Sequence, residues 1–369
     1  MIKQKIIEHL DEFKKLEQPW NDLVMQTDVD HIYMKHQWFY EWIKAYQETD
    51  SLAIVTIWQD GLLVAAAPIH RKPLRFKKIT ARSLSFLSSG VSPRCNFIAI
   101  DKPSADNLFT AIFALSKWDL LSTDNVESTS AVTQYYLDYL VNHMQPHYIE
   151  PGFQSLYLRS EGTWDSYWKS LSSNWRTNFK RYSLDKPGKV QSYEIRHLRT
   201  ESEYQIFEPE MLKISEKSWK AEIASHLVAN SALGRLYSCF TPIGLRNGWV
   251  YIPHLIINGE YVGYVYFLCY QDKYVGIRAE FDDSFKEFSP GNNLHLAIIK
   301  ELYSSGRTCE YDLGPDAAYK RNFCNLIKQH HNILVGNKNI KGRGIIFAKN
   351  HILPLMRLMA STESTKSLP

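Results

Sequence analysis

The spacing of hydrophobic and polar positions along the chain switches between helical and strand periods. In the stretch HIYMKHQWFYEWIKAYQ, Trp38, Trp42 and Ala45 fall on one side of a helix. The next stretch, SLAIVTIWQDGLLVAAAPI, predicts two strands joined by the turn QDG. Helical and strand patterns then alternate to about Leu158, so we expect a first domain that begins helix, strand, turn, strand.

The second half of the chain has a clearer strand pattern. The segments WVYIPHLII, YVGYVYFLCY and YVGIRAEF predict three antiparallel strands, because the Asn258-Gly259 pair between the first two favours a type I′ hairpin. Pro253 removes a hydrogen-bond donor from the first strand, which predicts an edge position or a bulge. Before these strands we expect a helix carrying EKSWKAEI, residues 216–223, and another near 230–240.

The stretch FSPGNNLHLAIIKELYSSG predicts a helix that begins at a turn. Leu294, Ile298 and Leu302 would form its apolar stripe, and Ser289 is the expected N-cap. Free N–H groups and the helix dipole at such an end favour a phosphate. The alternative is a well-capped helix that binds nothing. A strand, TCEYDLG, and a helical start at DAAYKRNF follow.

Length and composition indicate two globular domains. The chain has 369 residues, of which 44% are hydrophobic and 22% charged. We predict domains at residues 1–160 and 161–344, with a tail at 345–369. The net charge of +4 is too small to imply nucleic acid but permits an anionic cofactor.

Cysteine usage and hydropathy favour a cytoplasmic protein. The five cysteines are scattered and show no ligand spacing, which is typical of a reducing compartment. No apolar run reaches the ~18 residues that a membrane-spanning helix needs. The 13 histidines form no His-x-x-x-His or His/Cys set, so we predict no metal.

The order of several motifs resembles a known group of enzymes. LEQPWNDLV, HQWFYEWIKAY, NWRTNFKR, EKSWKA, LIINGEYVGYVYFL, FSPGNNLHLAIIKEL and YDLGPDAAYKRNF occur in that order over nearly the whole chain. In this arrangement the sequence is similar to the CelD/BcsL-like acetyltransferases of the GNAT superfamily, which are related to the FemAB-type transferases. The resemblance implies an α/β (α+β) fold of two tandem GNAT-like domains, each a mixed, mainly antiparallel sheet flanked by helices.

The resemblance also implies a donor and a reaction. The donor would be acyl-CoA or acetyl-CoA, its pyrophosphate held at the turn before the helix. The acyl group would pass to an amine or hydroxyl of a small-molecule, sugar, lipid-linked or cell-envelope precursor, and no DNA partner is expected. The residues predicted to bind the cofactor are those of the turn, namely Ser289, Gly291, Asn292 and Asn293.

The candidate catalytic residues lie around two strand ends. Tyr319 could protonate the leaving group, and Lys320 could hold a phosphate or the oxyanion. Asp316 and Glu280 are the carboxylate candidates. Alternation places Glu280 on the same face as Asp282. The structural alternatives, in which these residues have no catalytic role, are that Asp316 caps a helix, Tyr319 packs in the core, Lys320 is solvated and the strand end at Glu280 faces water.

Candidate substrate contacts come from two other segments. Arg176 and Arg181, with Lys180, share roughly one face of a polar helix and could meet an anionic acceptor, although such a face is commonly only solvated. Trp219 and Lys220 lie where members of the group place a cleft residue, although a tryptophan at helical spacing is often core.

The tail IIFAKNHILPLMRLMA is apolar with basic residues, and Pro354 would kink it. It would either lie on a membrane surface or pack against the second domain.

Two other functions stay open. A FemAB-type transferase would take an aminoacyl group from charged tRNA, which requires a wide basic surface and in some members a coiled coil; the chain shows only a mild charge and no heptad run. A catalytically degenerate GNAT pair would act as a scaffold in polysaccharide assembly. In favour of the scaffold, the turn has one glycine and no preceding arginine, where standard GNAT enzymes carry Arg/Gln-x-x-Gly-x-Gly/Ala.

Overall fold

The computed structural model describes residues 1–76, 79–88 and 90–353. Its strands are β1 (Ile2–Ile7), β2 (Ile54–Gln59), β3 (Leu62–Ala67), β4 (Ile69–Phe76), β5 (Ile79–Phe86), β6 (Ile98–Ala99), β7 (Leu120–Glu127), β8 (His147–Arg159), β9 (Tyr193–His197), β10 (Val250–Tyr251), β11 (Pro253–Ile257), β12 (Glu260–Tyr270), β13 (Lys273–Phe281), β14 (Glu310–Pro315) and β15 (Leu326–Gly336).

Its α-helices are α1 (Leu10–Lys14), α2 (Glu17–Met25), α3 (His36–Tyr46), α4 (Lys102–Phe113), α5 (Ala131–Asn142), α6 (Trp164–Ser170), α7 (Ser173–Tyr182), α8 (Glu201–Glu216), α9 (Ala232–Arg246), α10 (Pro290–Ser304) and α11 (Ile340–Phe347). Short 3₁₀ segments occur at Ile32–Met34, Trp219–Ala221, Asp283–Phe288 and Lys320–Asn322, and a π-helical turn at Ala348–Ile352.

Contacts between residues divide the chain into two compact units. The first contains Met1–Phe153 and the described residues from Gln329 onward, and the second contains Gln154–Lys328. The predicted ranges placed the segment up to residue 344 in the second domain. Most of β15 and all of α11 instead group with the first unit, because β15 pairs antiparallel with β7.

The first unit is built on two sets of strands. One follows the order β1-β2-β3-β6, and the other includes β4-β5-β7-β15. The predicted β2–β3 hairpin is confirmed, with Asp60 and Gly61 at positive φ of 51° and 88°. The helix predicted from Trp38, Trp42 and Ala45 is also confirmed as α3, and all three side chains are buried.

The described part of the C-terminal tail packs within the first unit. Ile345 and Ile346 are buried against Ala81 and Leu120. The expectation that it packs against the second domain is therefore wrong for these residues, because their apolar side chains cover strands β5 and β7. The remainder of the predicted tail, including Pro354, lies outside the described residues.

The second unit contains a mixed, mainly antiparallel sheet in the order β8-β14-β13-β12-β11-β9, with β10 also on β12. The three predicted antiparallel strands are confirmed as β11, β12 and β13, and Asn258 and Gly259 take positive φ of 51° and 85° in the turn. The parallel ladder between β13 and β14 covers only Lys273–Val275 with 310–312.

Pro253 is the first residue of β11, and this strand pairs with β9 on one side and β12 on the other. The predicted edge position is therefore wrong, and the register shift between β11 and β12 falls between Leu255 and Ile256, not at Pro253. A proline is tolerated there because the first residue of a strand can forgo a ladder donor.

Two predicted helices are only 3₁₀ turns. Helix α8 ends at Glu216, and EKSWKAEI continues as the turn Trp219–Ala221 because Ser218 is extended and its hydroxyl accepts from the N–H of Lys220. Similarly, DAAYKRNF forms only the turn Lys320–Asn322.

Helix α10 is confirmed. Leu294, Ile298 and Leu302 are buried, and Pro290 occupies the first turn, where its missing N–H costs nothing.

Candidate functional site

A cavity of about 480 Å³ opens in the second unit, in front of α10. Eight of the twelve residues predicted for the site line it: Trp219, Lys220, Glu280, Ser289, Gly291, Asn292, Tyr319 and Lys320. The other lining residues are Tyr264, Val265, Gly276, Ile277, Arg278, Ala279, Phe281, Lys286, His295 and Leu313.

The N-terminal end of α10 forms one part of the lining. The N–H groups of Gly291 and Asn292 have no hydrogen-bond partner within the described chain, since the first capping bond runs from the N–H of Asn293 to the carbonyl of Ser289. Ser289 sits at the N-cap with φ 49°, but its side chain does not cap the helix; its hydroxyl accepts from Asn292 Nδ2 at 2.8 Å. The exposed Lys286 also lines the cavity.

This arrangement suits an anion. Two free amides, the positive end of a 15-residue helix and an ammonium group converge on one opening. A side chain at Gly291 would have room there, since an added Cβ would meet nothing nearer than Phe281 Cδ1 at 3.9 Å.

Beyond Val275, the edge of β13 beside the cavity is not paired with β14. Residues 276–281 of β13 line the cavity after the ladder to β14 has ended, and Leu313 of β14 lines it from the other strand. The register slips between Tyr266 and Phe267, which leaves Ile277 as an extra residue in β13. An extended ligand could therefore hydrogen-bond along this edge.

Lys320 is held by the backbone of the β14 end. Its Nζ donates to the carbonyls of Leu313 at 2.6 Å and Pro315 at 2.7 Å, which leaves one N–H for a ligand. Burial lowers the pKa of Lys320. Tyr319 is 49% exposed, and burial of the rest of its ring raises the pKa of its hydroxyl, which is protonated at neutral pH.

Lys220 faces the cavity from the turn after α8. Its Nζ donates to the carbonyl of Ala279 at 2.8 Å. Burial lowers the pKa of Lys220 to about 8. The charge of Glu280 acts in the opposite direction, and the charges of Arg278 and Lys320 lower the pKa further. An amine with this pKa carries a substantial neutral fraction at physiological pH, as a general base requires.

Glu280 lies beneath this part of the cavity. Its side chain is fully buried, the hydroxyl of Tyr264 donates to Oε2, and Oε1 lies 3.5 Å from Arg278 Nη2. Arg278 in turn donates to the carbonyl of Ser225 at 2.6 Å. The carboxylate thus lies between the hydroxyl of Tyr264 and the guanidinium of Arg278, at a residue that lines the cavity. Its predicted role as a base stays a prediction.

His295 of α10 is buried at the cavity. Its Nδ1 lies 2.6 Å from the hydroxyl of Tyr311 on β14. Burial, and then the charge of Lys320, lower the pKa of His295 to about 4. The imidazole is therefore neutral at physiological pH.

Four predicted site residues do not line the cavity formed by the described residues, namely Asn293, Asp316, Arg176 and Arg181. Asn293 is buried on another side of α10; its Oδ1 accepts from the N–H of Leu184, and its Nδ2 donates to the carbonyls of Phe288 and Tyr182. Its polar atoms are thus used by the protein itself. Asp316 accepts from the Arg321 guanidinium, which lowers the pKa of its carboxyl.

Asp282 does not line the cavity that Glu280 lines, contrary to the expectation from alternation. Strand β13 ends at Phe281, and the Asp282 carboxylate accepts from the Ser284 N–H and pairs with Lys217 at 3.0 Å. It therefore caps the following 3₁₀ turn rather than facing the cavity.

Sequence reasoning missed Tyr264, Arg278, Lys286 and His295. A signal for His295 existed, because it lies four residues after Gly291 and so on the same side of the helix. For Arg278 the signal was alternation with Glu280, two positions later. Lys286 follows the strand in a short turn that no periodicity marks.

Neither a metal site nor a membrane span is found among the described residues. In residues 1–76, 79–88 and 90–353, no three His, Cys, Asp or Glu side chains come together as ligands. Every helix within the same residues is too short or too polar to cross a bilayer.

Residues 176–321 match the model of the acetyltransferase (GNAT) domain. All the residues that line the cavity fall within this GNAT segment. A GNAT domain in general implies use of acyl-CoA. A search of curated proteins found no match.

Three solved structures have a similar fold. FemX has 12% identity and a TM-score of 0.59, over 90% of this chain and 96% of that one. The C-terminal domain of a putative lysylphosphatidylglycerol synthetase from Agrobacterium fabrum has 11% identity and a TM-score of 0.53, over 91% and 96%. A conserved protein of unknown function from Bacteroides thetaiotaomicron has 10% identity and a TM-score of 0.53, over 91% and 100%.

At these identities the similarity concerns the fold. It confirms the predicted α+β class with mixed sheets, because FemX-like structures align along nearly the whole chain and not only along the GNAT segment.

Proposed function

We propose that the protein transfers an acyl group from an acyl-CoA thioester to the amine or hydroxyl of a small-molecule, sugar or cell-envelope acceptor. The observation that carries this proposal is the open cavity that runs from the free amides of Gly291 and Asn292 to Tyr319 and Lys320. The match of the GNAT segment supports the donor class. The five unpaired cysteines fit a reducing cytoplasm, where acyl-CoA is available.

The donor would lie across the cavity with its ends in different environments. Its diphosphate would accept hydrogen bonds from the amides of Gly291 and Asn292 and pair with Lys286. Its pantetheine amides would hydrogen-bond to the open edge of β13 between Gly276 and Phe281, as an added strand does. The thioester would then reach the part of the cavity lined by Tyr319.

The chemistry would use Lys220 and Tyr319. The acceptor nitrogen or oxygen attacks the thioester carbonyl carbon and forms a C–N or C–O bond, and its proton passes to the neutral amine of Lys220. The C–S bond then breaks, and the thiolate takes a proton from the Tyr319 hydroxyl. Tyr319 is half exposed, so water can return its proton.

Binding of the donor is the first test. Calorimetric titration of the full chain with acetyl-CoA and longer acyl-CoAs should show binding, with release of the CoA thiol when amines or hydroxyl compounds are added. Lys220→Met should keep donor affinity within about twofold and lower turnover by about 10²-fold or more. Full turnover in Lys220→Met would exclude it as the base.

The same experiment separates the two rival functions. Charged tRNA binding without acyl-CoA binding would replace the proposal with a FemAB-type aminoacyl transfer. If neither acyl-CoA nor charged tRNA binds, the degenerate scaffold would be favoured. Against the scaffold, Lys220, Tyr319 and Lys320 line the same cavity as the start of α10, which is the arrangement that a transfer reaction would need.

A further inference from the structure

A buried histidine and a buried tyrosine meet at the cavity and are not used by the reaction described so far. His295 is 3% exposed and Tyr311 is fully buried. Their hydrogen bond, 2.6 Å between Nδ1 and the hydroxyl oxygen, joins α10 to β14. The ring of Phe323 packs against that of His295, with 5.4 Å between the two ring centroids.

The direction of this hydrogen bond follows from the partners that each group has. Within the described chain the Tyr311 hydroxyl has no second hydrogen-bond partner, so its proton finds an acceptor only at His295 Nδ1. The opposite direction would leave a buried O–H without an acceptor, at a cost of about 1–3 kcal/mol. Tyr311 therefore donates, and the single ring proton of the neutral imidazole is on Nε2.

The protonation state agrees with this tautomer. Burial and the charge of Lys320 disfavour the imidazolium, so the ring keeps one proton over the physiological range. Its Nδ1 is occupied by Tyr311, while Nε2 has no partner among the described residues. The ring thus offers one N–H donor at a residue that lines the cavity.

We propose that His295 is a catalytic hydrogen-bond donor to the thioester carbonyl oxygen, held in its donating tautomer by Tyr311 as a positioning residue. The proposal rests on the proposed acyl transfer. When the acceptor attacks, the carbonyl π pair moves to oxygen and the Nε2–H bond to that oxygen strengthens. When the pair returns, the C–S bond breaks, and His295 keeps its proton throughout.

The neighbouring charge supports this role. Lys320 is close enough to lower the pKa of His295, so its ammonium also favours negative charge on an oxygen bound there. Removal of one such donor typically lowers turnover by about 10²–10³-fold.

The tautomer can be measured without any substrate. Nitrogen-15 NMR of the full chain should give His295 the pattern of a neutral ring protonated on Nε2, unchanged from about pH 6 to 8. In Tyr311→Phe the Nδ1 loses its donor, so the pattern should shift towards the other tautomer. A wild-type ring protonated on Nδ1 would overturn the proposal.

The effect on the donor can be measured by infrared spectroscopy with acetyl-CoA labelled with carbon-13 at the thioester carbonyl. Bound to the wild type, the carbonyl band should move to lower frequency. In His295→Phe it should return towards its position in water, with turnover down by about 10²-fold and donor affinity within about twofold.

His254→Phe is the matched control, because His254 is also buried in the second unit but stacks on Phe207 away from the cavity lining. It should keep the shifted band and the turnover. A bound donor with an unshifted band, or His295→Phe with turnover within threefold of wild type, would overturn the role of His295 alone. A wild type that binds no acyl-CoA would overturn the proposed function and, with it, the contact to the carbonyl.

Discussion

A charge placed at the start of α10 should weaken donor binding without weakening the fold. Gly291 is the second residue of this helix, and an added Cβ would have open space apart from the ring of Phe281 at 3.9 Å. Gly291→Glu therefore fits sterically and puts a carboxylate next to the free amides. Gly291→Gln has nearly the same size and shape without the charge.

Gly291→Glu should raise the free energy of unfolding and lower the affinity for the donor. Replacing glycine in a helix stabilises it by up to about 1 kcal/mol, and a carboxylate in the first turn adds about 0.3–1 kcal/mol. Against a bound diphosphate, like charges about 4 Å apart repel by about 4 kcal/mol at an effective dielectric constant of 20. Because the glutamate can swing away, we expect a loss of about 2–3 kcal/mol, or roughly 30- to 150-fold in Kd.

Calorimetric titration with CoA should give a Kd for Gly291→Glu roughly 30- to 150-fold above that of Gly291→Gln, and the difference should shrink at high salt. The unfolding midpoint of Gly291→Glu should be equal to or above that of the wild type. Equal CoA affinity in the Glu and Gln variants would refute the reasoning, because it would mean that the diphosphate does not sit at this end of α10.

Three further predictions concern single side chains. Because only neutral Lys220 can accept a proton and its pKa is about 8, turnover at saturating substrate should rise as the pH passes through 8, and Lys220→Arg should be slow with no such rise. Asp119 accepts hydrogen bonds from Arg82, which lower its pKa, so Asp119→Asn should cost about 1.5–3 kcal/mol at pH 7 in chemical unfolding, and the difference should fade as the pH drops below about 4. A loss that stays constant down to about pH 2 would contradict that linkage. Arg176→Ala and Arg181→Ala, at residues predicted to contact the acceptor, should leave CoA affinity within about twofold, and a tenfold loss would place them at the donor site instead.

Local sequence patterns were enough to predict the strands and the helix that frame the cavity. The alternation in WVYIPHLII and YVGYVYFLCY, together with Asn258-Gly259, predicts the β11–β12 hairpin because hydrophobic period and turn chemistry act over a few residues. The stripe of Leu294, Ile298 and Leu302 predicts α10 for the same reason. The start of this helix also predicts where an anion could bind, since free amides are a property of any helix end.

The interior of the cavity required the tertiary structure. Lys220 meets the carbonyl of Ala279, 59 residues away, and His295 meets Tyr311, 16 residues away. The low pKa of Lys220 and the tautomer of His295 arise from burial and from these neighbours, which no spacing along the chain encodes.

The sequence by itself thus determined strands β11, β12 and β13 and helix α10 of the second unit, and it predicted where an anion could bind. Only the tertiary structure decided which polar side chains share a low-dielectric cavity, that Glu280 is buried against Tyr264 and Arg278, and that Asn293 is used by the protein itself. The reason is physical: secondary structure depends on neighbours within a few residues, whereas pKa, hydrogen-bond direction and access depend on everything that packs around a group.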